Sequence, residues 1–252
     1  MRERFLSHGR GLLLVLVGVA AILWLAVAGK LALYIHPRYI EFTVVMAVIA
    51  GVVAIVAAAL LPRADEHEGD HEHAPRSRRR ATLLTAASVA LIVATTAVLL
   101  VMPPSTLTSG TAAQRDINAS AGGGAGDAPV LVAGDGSGFT VKDWAGLLRQ
   151  GADEQYLADA RPDVTGFVMA DPDDPDDVFY VARFVITCCA VDAQPVGVPV
   201  YSPGWRDAHP VDSWVQVTGR FVANPSTSSM QAVALEPADV TSIDEPADPY
   251  VY

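Results

Sequence analysis

Two adjacent thiols, Cys188-Cys189, followed by Asp192, are the first residues in this 252-residue chain whose types and spacing could do chemistry. Three readings stand for the pair. Cysteines pack well as small apolar side chains. Vicinal thiols can close a strained, redox-active disulfide in an oxidising compartment. Thiolates can also hold a soft or borderline metal ion, with Asp192 and His209 as further donors. The chain has only these two cysteines, which excludes a disulfide framework and a four-thiolate zinc site built from one chain. In extended backbone, neighbouring side chains face opposite ways, so one thiol is expected in the core and the other outside.

A second cluster lies at His67, His71 and His73, three of the six histidines, interleaved with Asp65, Glu66, Glu68, Asp70 and Glu72. Imidazole and carboxylate together suit a divalent metal such as zinc, bound exchangeably because each imidazole must be neutral. The alternative is a solvated loop ahead of the basic patch Arg76, Arg78, Arg79 and Arg80. The acidic run Asp171–Asp177 lacks the glycine and distal glutamate of an EF-hand loop and is expected to be a solvated hairpin tip. No nucleophile–base pair, phosphate loop or dinucleotide motif occurs, so no catalytic residue and no enzymatic activity is expected.

Three apolar stretches, about residues 11–33 (uncharged from Gly11 to Ala28 and continuing past Lys30), 42–61 and 81–102, are expected to be transmembrane helices. Threonines in the third are tolerable because a helical Thr can bond the preceding turn's carbonyl. Ala26-Val27-Ala28 also fits a signal-peptidase pattern, and Lys30 is expected to snorkel to the interface. Arginines populate the N-terminal tail and loop 62–80, whereas the loop between the first two spans carries only Arg38. The positive-inside rule then places the N-terminus and loop 62–80 in the cytoplasm and the C-terminal domain outside, on a multi-pass cell-membrane protein.

The halves differ in charge. Residues 1–103 hold 10 basic and 7 acidic side chains, a net of +3, and residues 104–252 hold 7 and 21, a net of −14. The basic half suits anionic lipid, whereas the acidic half argues against nucleic acid as a partner. Residues 104–129, rich in Ser, Thr, Gly and Ala, read as a flexible linker, and Asn118-Ala119-Ser120 matches an N-glycosylation triplet.

From residue 130 to 252 the pattern is mostly β. A short strand is expected at Phe139-Thr140-Val141, then a helix from Trp144 to Gln150 capped by Asp143. Further strands are expected at 163–169, 178–186, 198–201 (with Pro199 favouring an edge), 214–222 and 232–235. Five short strands, with Gly166 in the first and Gly219 in the fourth, predict a small closed barrel of the OB type. The fold class is therefore a three-helix membrane anchor plus an OB-like extracytoplasmic domain.

Several segments resemble one family. Arg183-Phe184-Val185-Ile186, the Cys188–Ala193 stretch, Trp214-Val215 with Gly219, and the terminal Pro249-Tyr250-Val251-Tyr252 are similar to the YcgQ-type bacterial membrane proteins. Gly166-Phe167-Val168 and the histidine–acid loop fit the same pattern. The resemblance implies an accessory subunit paired with a polytopic YcgR-type permease. Three apolar helices offer no polar-lined solute path, which agrees with an accessory role. The outer domain is then expected to contact the transporter or to present a solute, which the ligand clusters suggest is a metal ion. The alternative is a stand-alone membrane-anchored redox or metal-sensing domain using Cys188 and Cys189.

Overall fold

The computed structural model describes residues 2–60, ten helical residues between 86 and 97, residues 105–121, Gly136 and residues 138–252. The chain divides into two compact units, one of Met1–Ala32 with Pro37–Ser105 and one of Leu33–His36 with Thr106–Tyr252.

In the first unit, α1 runs from Arg2 to Val27 and α2 from Ile40 to Leu60. α1 ends six residues before the expected boundary at 33, because Gly29 adopts a left-handed φ of 69°. The Lys30 N–H donates to Leu25 O at 2.9 Å and the Gly29 N–H to Ala26 O at 3.1 Å. That pair of bonds is the Schellman stop, which glycine enters without a Cβ penalty. Pro37–Leu60 is long and apolar enough to cross a membrane, at about 36 Å for a rise of 1.5 Å per residue. It is the one helix among the described residues to meet that test, and Gly11–Val27 is a shorter apolar helix. Of the third expected span, ten residues between 86 and 97 are helical, and Thr96 Oγ1 donates back to Ile92 O at 2.8 Å. The remainder of 81–102 and the whole of loop 62–80 lie outside the described residues.

α1 and α2 meet through small side chains. Ala47 and Gly51, one helical turn apart, are the buried residues of α2, and a Cβ on Gly51 would lie 3.5 Å from Val19. This small-xxx-small spacing lets two helices approach closely. The large apolar side chains of α2, including Phe42, Val45, Ile49, Val53 and Val56, are exposed around the helix.

The second unit is a small closed five-stranded β-barrel. Its strands are β1 Asp163–Ala170, β2 Val178–Val185, β3 Gln194–Tyr201, β4 Trp214–Ala223 and β5 Val233–Ile243. The ring order is β1-β2-β3-β5-β4 and back to β1. All neighbours are antiparallel except β3 and β5, joined in parallel at Val200↔Leu235. Two of the three strand glycines, Gly166 and Gly219, sit where backbones cross at closest approach. A Cβ on Gly166 would collide with the Ala182 backbone, and one on Gly219 with the carbonyl of Glu236, beside a register shift at Thr218/Gly219. A short sixth strand, β6 at Tyr250–Val251, adds in parallel to the end of β2.

Proline placement explains why β3 is longer than expected. Gly197 directs its N–H and C=O to the Asn118 side chain, away from β2. Pro195 and Pro199, two residues to either side, turn their missing N–H the same way, so the ladder to β2 survives intact. Asn118, at φ 62°, therefore acts as a one-residue strand substitute, and its amide is committed to Gly197 rather than displayed as a glycan acceptor.

Helix α3, Val141–Arg149, plugs one end of the barrel. Thr140 is its N-cap, and Asp143 accepts from the Thr140 N–H at 2.8 Å, a capping box that replaces the strand expected at 139–141. Trp144, Val141 and Leu147 join Val168, Phe179, Val198, Val217 and Leu235 in the interior core. A short helix, α4, Glu154–Asp159, leads into β1.

Side chains alternating outward from β1 and β2 form a second core. Phe167, Met169, Tyr180, Phe184 and Ile186 pack there with Leu33, Ala112 and Tyr250. The described part of the expected linker is thus folded. Ala112 is buried, the Leu107 N–H donates to Tyr250 Oη at 3.1 Å, and the Ser109 N–H donates to Asp212. Leu33, expected to end the first span, belongs to the core of the β domain.

Candidate thiol–carboxylate site

β2 stops at Val185, and Ile186 is buried before the chain bends at Thr187 and Cys188. The thiols therefore lie on the β2–β3 turn and not on the strand, and the expectation of one buried and one outward thiol is corrected. Cys188 is exposed, Cys189 half-buried, and neither enters the core. A single-turn helix, Ala190–Asp192, follows and brings Asp192 back over the turn.

Asp192 organises the bend. One carboxylate oxygen accepts the Cys188 N–H at 2.8 Å and the Cys189 N–H at 3.2 Å, and the other accepts the Thr187 N–H at 3.2 Å. Three N–H groups that the turn withdraws from the ladder are thereby satisfied by one anion. As a result, the two sulfurs and an Asp192 oxygen lie within 4.8 Å of one another. Partial desolvation, the adjoining Cys189 sulfur and the Asp192 carboxylate all push the Cys188 thiol above its ordinary pKa. A metal ion supplies the opposite field and would displace the protons, so binding here must tighten as pH rises.

Two segments distant in sequence flank the turn. Ile35 pairs with Cys189 as an antiparallel β-bridge, with the His36 N–H donating to Cys188 O at 3.0 Å and the Ala190 N–H to Tyr34 O at 2.9 Å. From the other end of the chain, the Ile186 N–H donates to Val251 O at 3.1 Å. The His36 and Tyr252 rings meet edge-on with centroids 4.8 Å apart. Arg115 reaches the turn as well, donating to Val191 O at 3.2 Å.

The structure thus brings Cys188, Cys189 and Asp192 together and leaves His209 out, since its Nδ1 lies 3.3 Å from Ser242 Oγ. His67, His71 and His73 lie outside the described residues. Sequence reasoning missed the 33–36 segment. Its signal was Gly29, which ends α1 early and frees the apolar–polar alternation Leu33-Tyr34-Ile35-His36 to leave the helix. The acidic tip is partly solvated as expected, but Asp171 is buried and accepts from the Asp173 and Asp174 N–H groups and from Ser229 Oγ, and the half-buried Asp174 carboxylate accepts from Ser226 Oγ. A cleft of 400 Å³ beside Asn118, Arg149 and Pro199 contains none of the turn's residues.

A barrel whose β2–β3 turn displays two thiols and a carboxylate, preceded by apolar helices, defines a two-unit protein. The chain belongs to the DUF1980 family, whose N-terminal domain matches residues 10–118 and whose C-terminal domain matches residues 151–252. Comparison with curated proteins and with solved structures gives no match.

Proposed function

We propose that the protein is a membrane-anchored accessory subunit of a polytopic permease, its OB-like barrel held on the outer face to bind and present a divalent ion such as zinc. The observation that carries the proposal is the convergence of the Cys188, Cys189 and Asp192 donor atoms within 4.8 Å on an exposed turn. Two thiolates and a carboxylate suit a borderline ion, and a three-donor site open to solvent can release what it binds. Beyond Glu41 and Thr43 in its first turn, the surface of α2 is apolar; it suits lipid and offers no solute pathway, so transport requires a partner of the YcgR type.

Chain connectivity supports the expected topology. Leu33–His36 and Thr106–Tyr252 belong to one compact unit, so both lie on the same side of any bilayer. The chain between them must cross an even number of times. If Pro37–Leu60 crosses, a return crossing falls in residues 61–105, where the third apolar stretch lies.

The juxtaposed sulfurs also favour a second reading, a stand-alone redox domain in which two thiols lose two protons and two electrons to a disulfide-forming oxidant. Co-purification in mild detergent with a polytopic membrane protein, together with zinc content, distinguishes them. A stable partner and about one zinc lost in Cys188→Ser/Cys189→Ser support the accessory role. A metal-free, partnerless protein whose mass on alkylation changes with reductant replaces it with the redox reading.

A further inference from the structure

We propose that His36 is an additional ligand at the thiol–carboxylate turn, so that a bound divalent ion staples the segment between α1 and α2 to the barrel. The inference rests on the metal reading above and adds to it a residue and a consequence.

The geometry comes from the backbone. The bonds from the His36 N–H to Cys188 O and from the Ala190 N–H to Tyr34 O bracket the Ile35↔Cys189 bridge. That pattern makes Ile35 and Cys189 a non-hydrogen-bonded pair and sets His36 opposite Cys188. Residues facing each other in this way have Cβ atoms about 4.5–5.5 Å apart. An imidazole nitrogen about 2.0–2.1 Å and a thiolate sulfur about 2.3 Å from one zinc ion fit that separation without moving either backbone.

The donor set explains why a fourth ligand is needed. Cys188, Cys189 and Asp192 offer two sulfurs and one oxygen, which leaves a tetrahedral ion one position short. Asp192 is also a divided donor, because both its oxygens already accept backbone N–H groups. The His36 nitrogens are not among the donor atoms already converging within 4.8 Å, so the ring, half-buried and edge-on to Tyr252, must turn toward the sulfurs as the ion enters while its main chain stays pinned to Cys188. Leu33 already anchors this segment in the outer core, and filling the site would add a metal–ligand tie beside the Ile35↔Cys189 bridge.

The test uses the full chain in detergent, with His67, His71 and His73 changed to Ala so that only the barrel site reports. Co²⁺ is the probe and Zn²⁺ the competitor. The expected result is a sulfur-to-cobalt charge-transfer band with the intense visible bands of a tetrahedral ion. His36→Phe keeps an aromatic ring against Tyr252 but removes the nitrogen. It should lose the tetrahedral signature and weaken Zn²⁺ binding by at least about tenfold, the lower end of what outer-shell losses alone produce. His36→Cys should restore both. An unchanged spectrum and affinity in His36→Phe would overturn the role of His36 and leave the metal reading standing. No Co²⁺ bands in the parent protein, or bands that survive Cys188→Ser/Cys189→Ser, would overturn the metal reading itself.

Discussion

Asp192 closes the β2–β3 turn by accepting three backbone N–H groups, and a carboxylate oxygen lies within 4.8 Å of both sulfurs, which under the metal reading makes it a ligand as well. Asp192→Ala should therefore cost about 1–2 kcal/mol of barrel stability, the scale of losing a helix cap, and should also weaken Zn²⁺ binding. Asp192→Asn keeps an oxygen for the Cys188 and Cys189 N–H groups but sets an NH2 against the Thr187 N–H and removes the charge, so it should recover part of the stability and little of the affinity. Urea unfolding of the metal-free protein and Zn²⁺ competition measure the two separately. Equal effects of both variants on both quantities would reduce Asp192 to a structural residue. The grouping of Cys188, Cys189 and Asp192 was legible in the sequence because their spacing closes a single turn. The exposure of the thiols was not, because it depends on β2 ending at Val185, and an apolar run that continues through Ile186 gives no sign of that. The place of His36 was illegible for another reason: it lies opposite Cys188, about 150 residues away, and only the Ile35↔Cys189 bridge reveals that register.

At the scale of elements, β-branched and aromatic runs bounded by turn residues, with clean alternation in 214–222, located all five barrel strands, and Gly166 and Gly219 foretold closure because each marks a crossing too tight for a side chain. Gly219→Val should drive a branched side chain into the Glu236 carbonyl at the β4–β5 bulge and cost about 3 kcal/mol or more, enough to melt much of a small barrel. Gly138→Ala, where an added Cβ meets nothing within 4 Å, should stay within about 0.5 kcal/mol of the parent. Thermal unfolding followed by far-UV circular dichroism gives both numbers, and a Gly219→Val barrel as stable as the parent would contradict the close approach. Element ends were less legible. Thr140, with Asp143 three residues on, reads equally as a strand tail or a capping box, and burial of Val141 and Trp144 in the barrel end decides for the helix. β3 was clipped because prolines were counted against it, although Pro195 and Pro199 both turn their missing N–H away from β2. β6 is two residues long, and it is recognisable only by its pairing with β2.

The whole molecule is constrained most strongly by one small feature, the presence of Leu33–His36 inside the barrel unit. Leu33 lies in the outer core with Phe167, Phe184 and Tyr250, and Ile35 bridges to Cys189. A chain cannot place residue 33 and residue 250 in one core across a bilayer, so the segment between α1 and α2 and the C-terminus share a side. If Pro37–Leu60 crosses, the arginine-rich 62–80 loop falls on the opposite side, the arrangement the positive-inside rule predicts. Single cysteines placed at Tyr34, Asp70 and Tyr252, in a Cys188→Ser/Cys189→Ser background, put this to the test in intact cells with a membrane-impermeant maleimide. Tyr34→Cys and Tyr252→Cys should label from outside, slowly where the fold shields them and faster after mild denaturation, and Asp70→Cys should label only after permeabilisation. Labelling of positions 34 and 252 from opposite sides is incompatible with the Ile35↔Cys189 bridge and would remove both the shared core and the metal staple built on it. External labelling of all three would instead leave the bridge intact and show that Pro37–Leu60 does not cross, which would confine the anchor to α1.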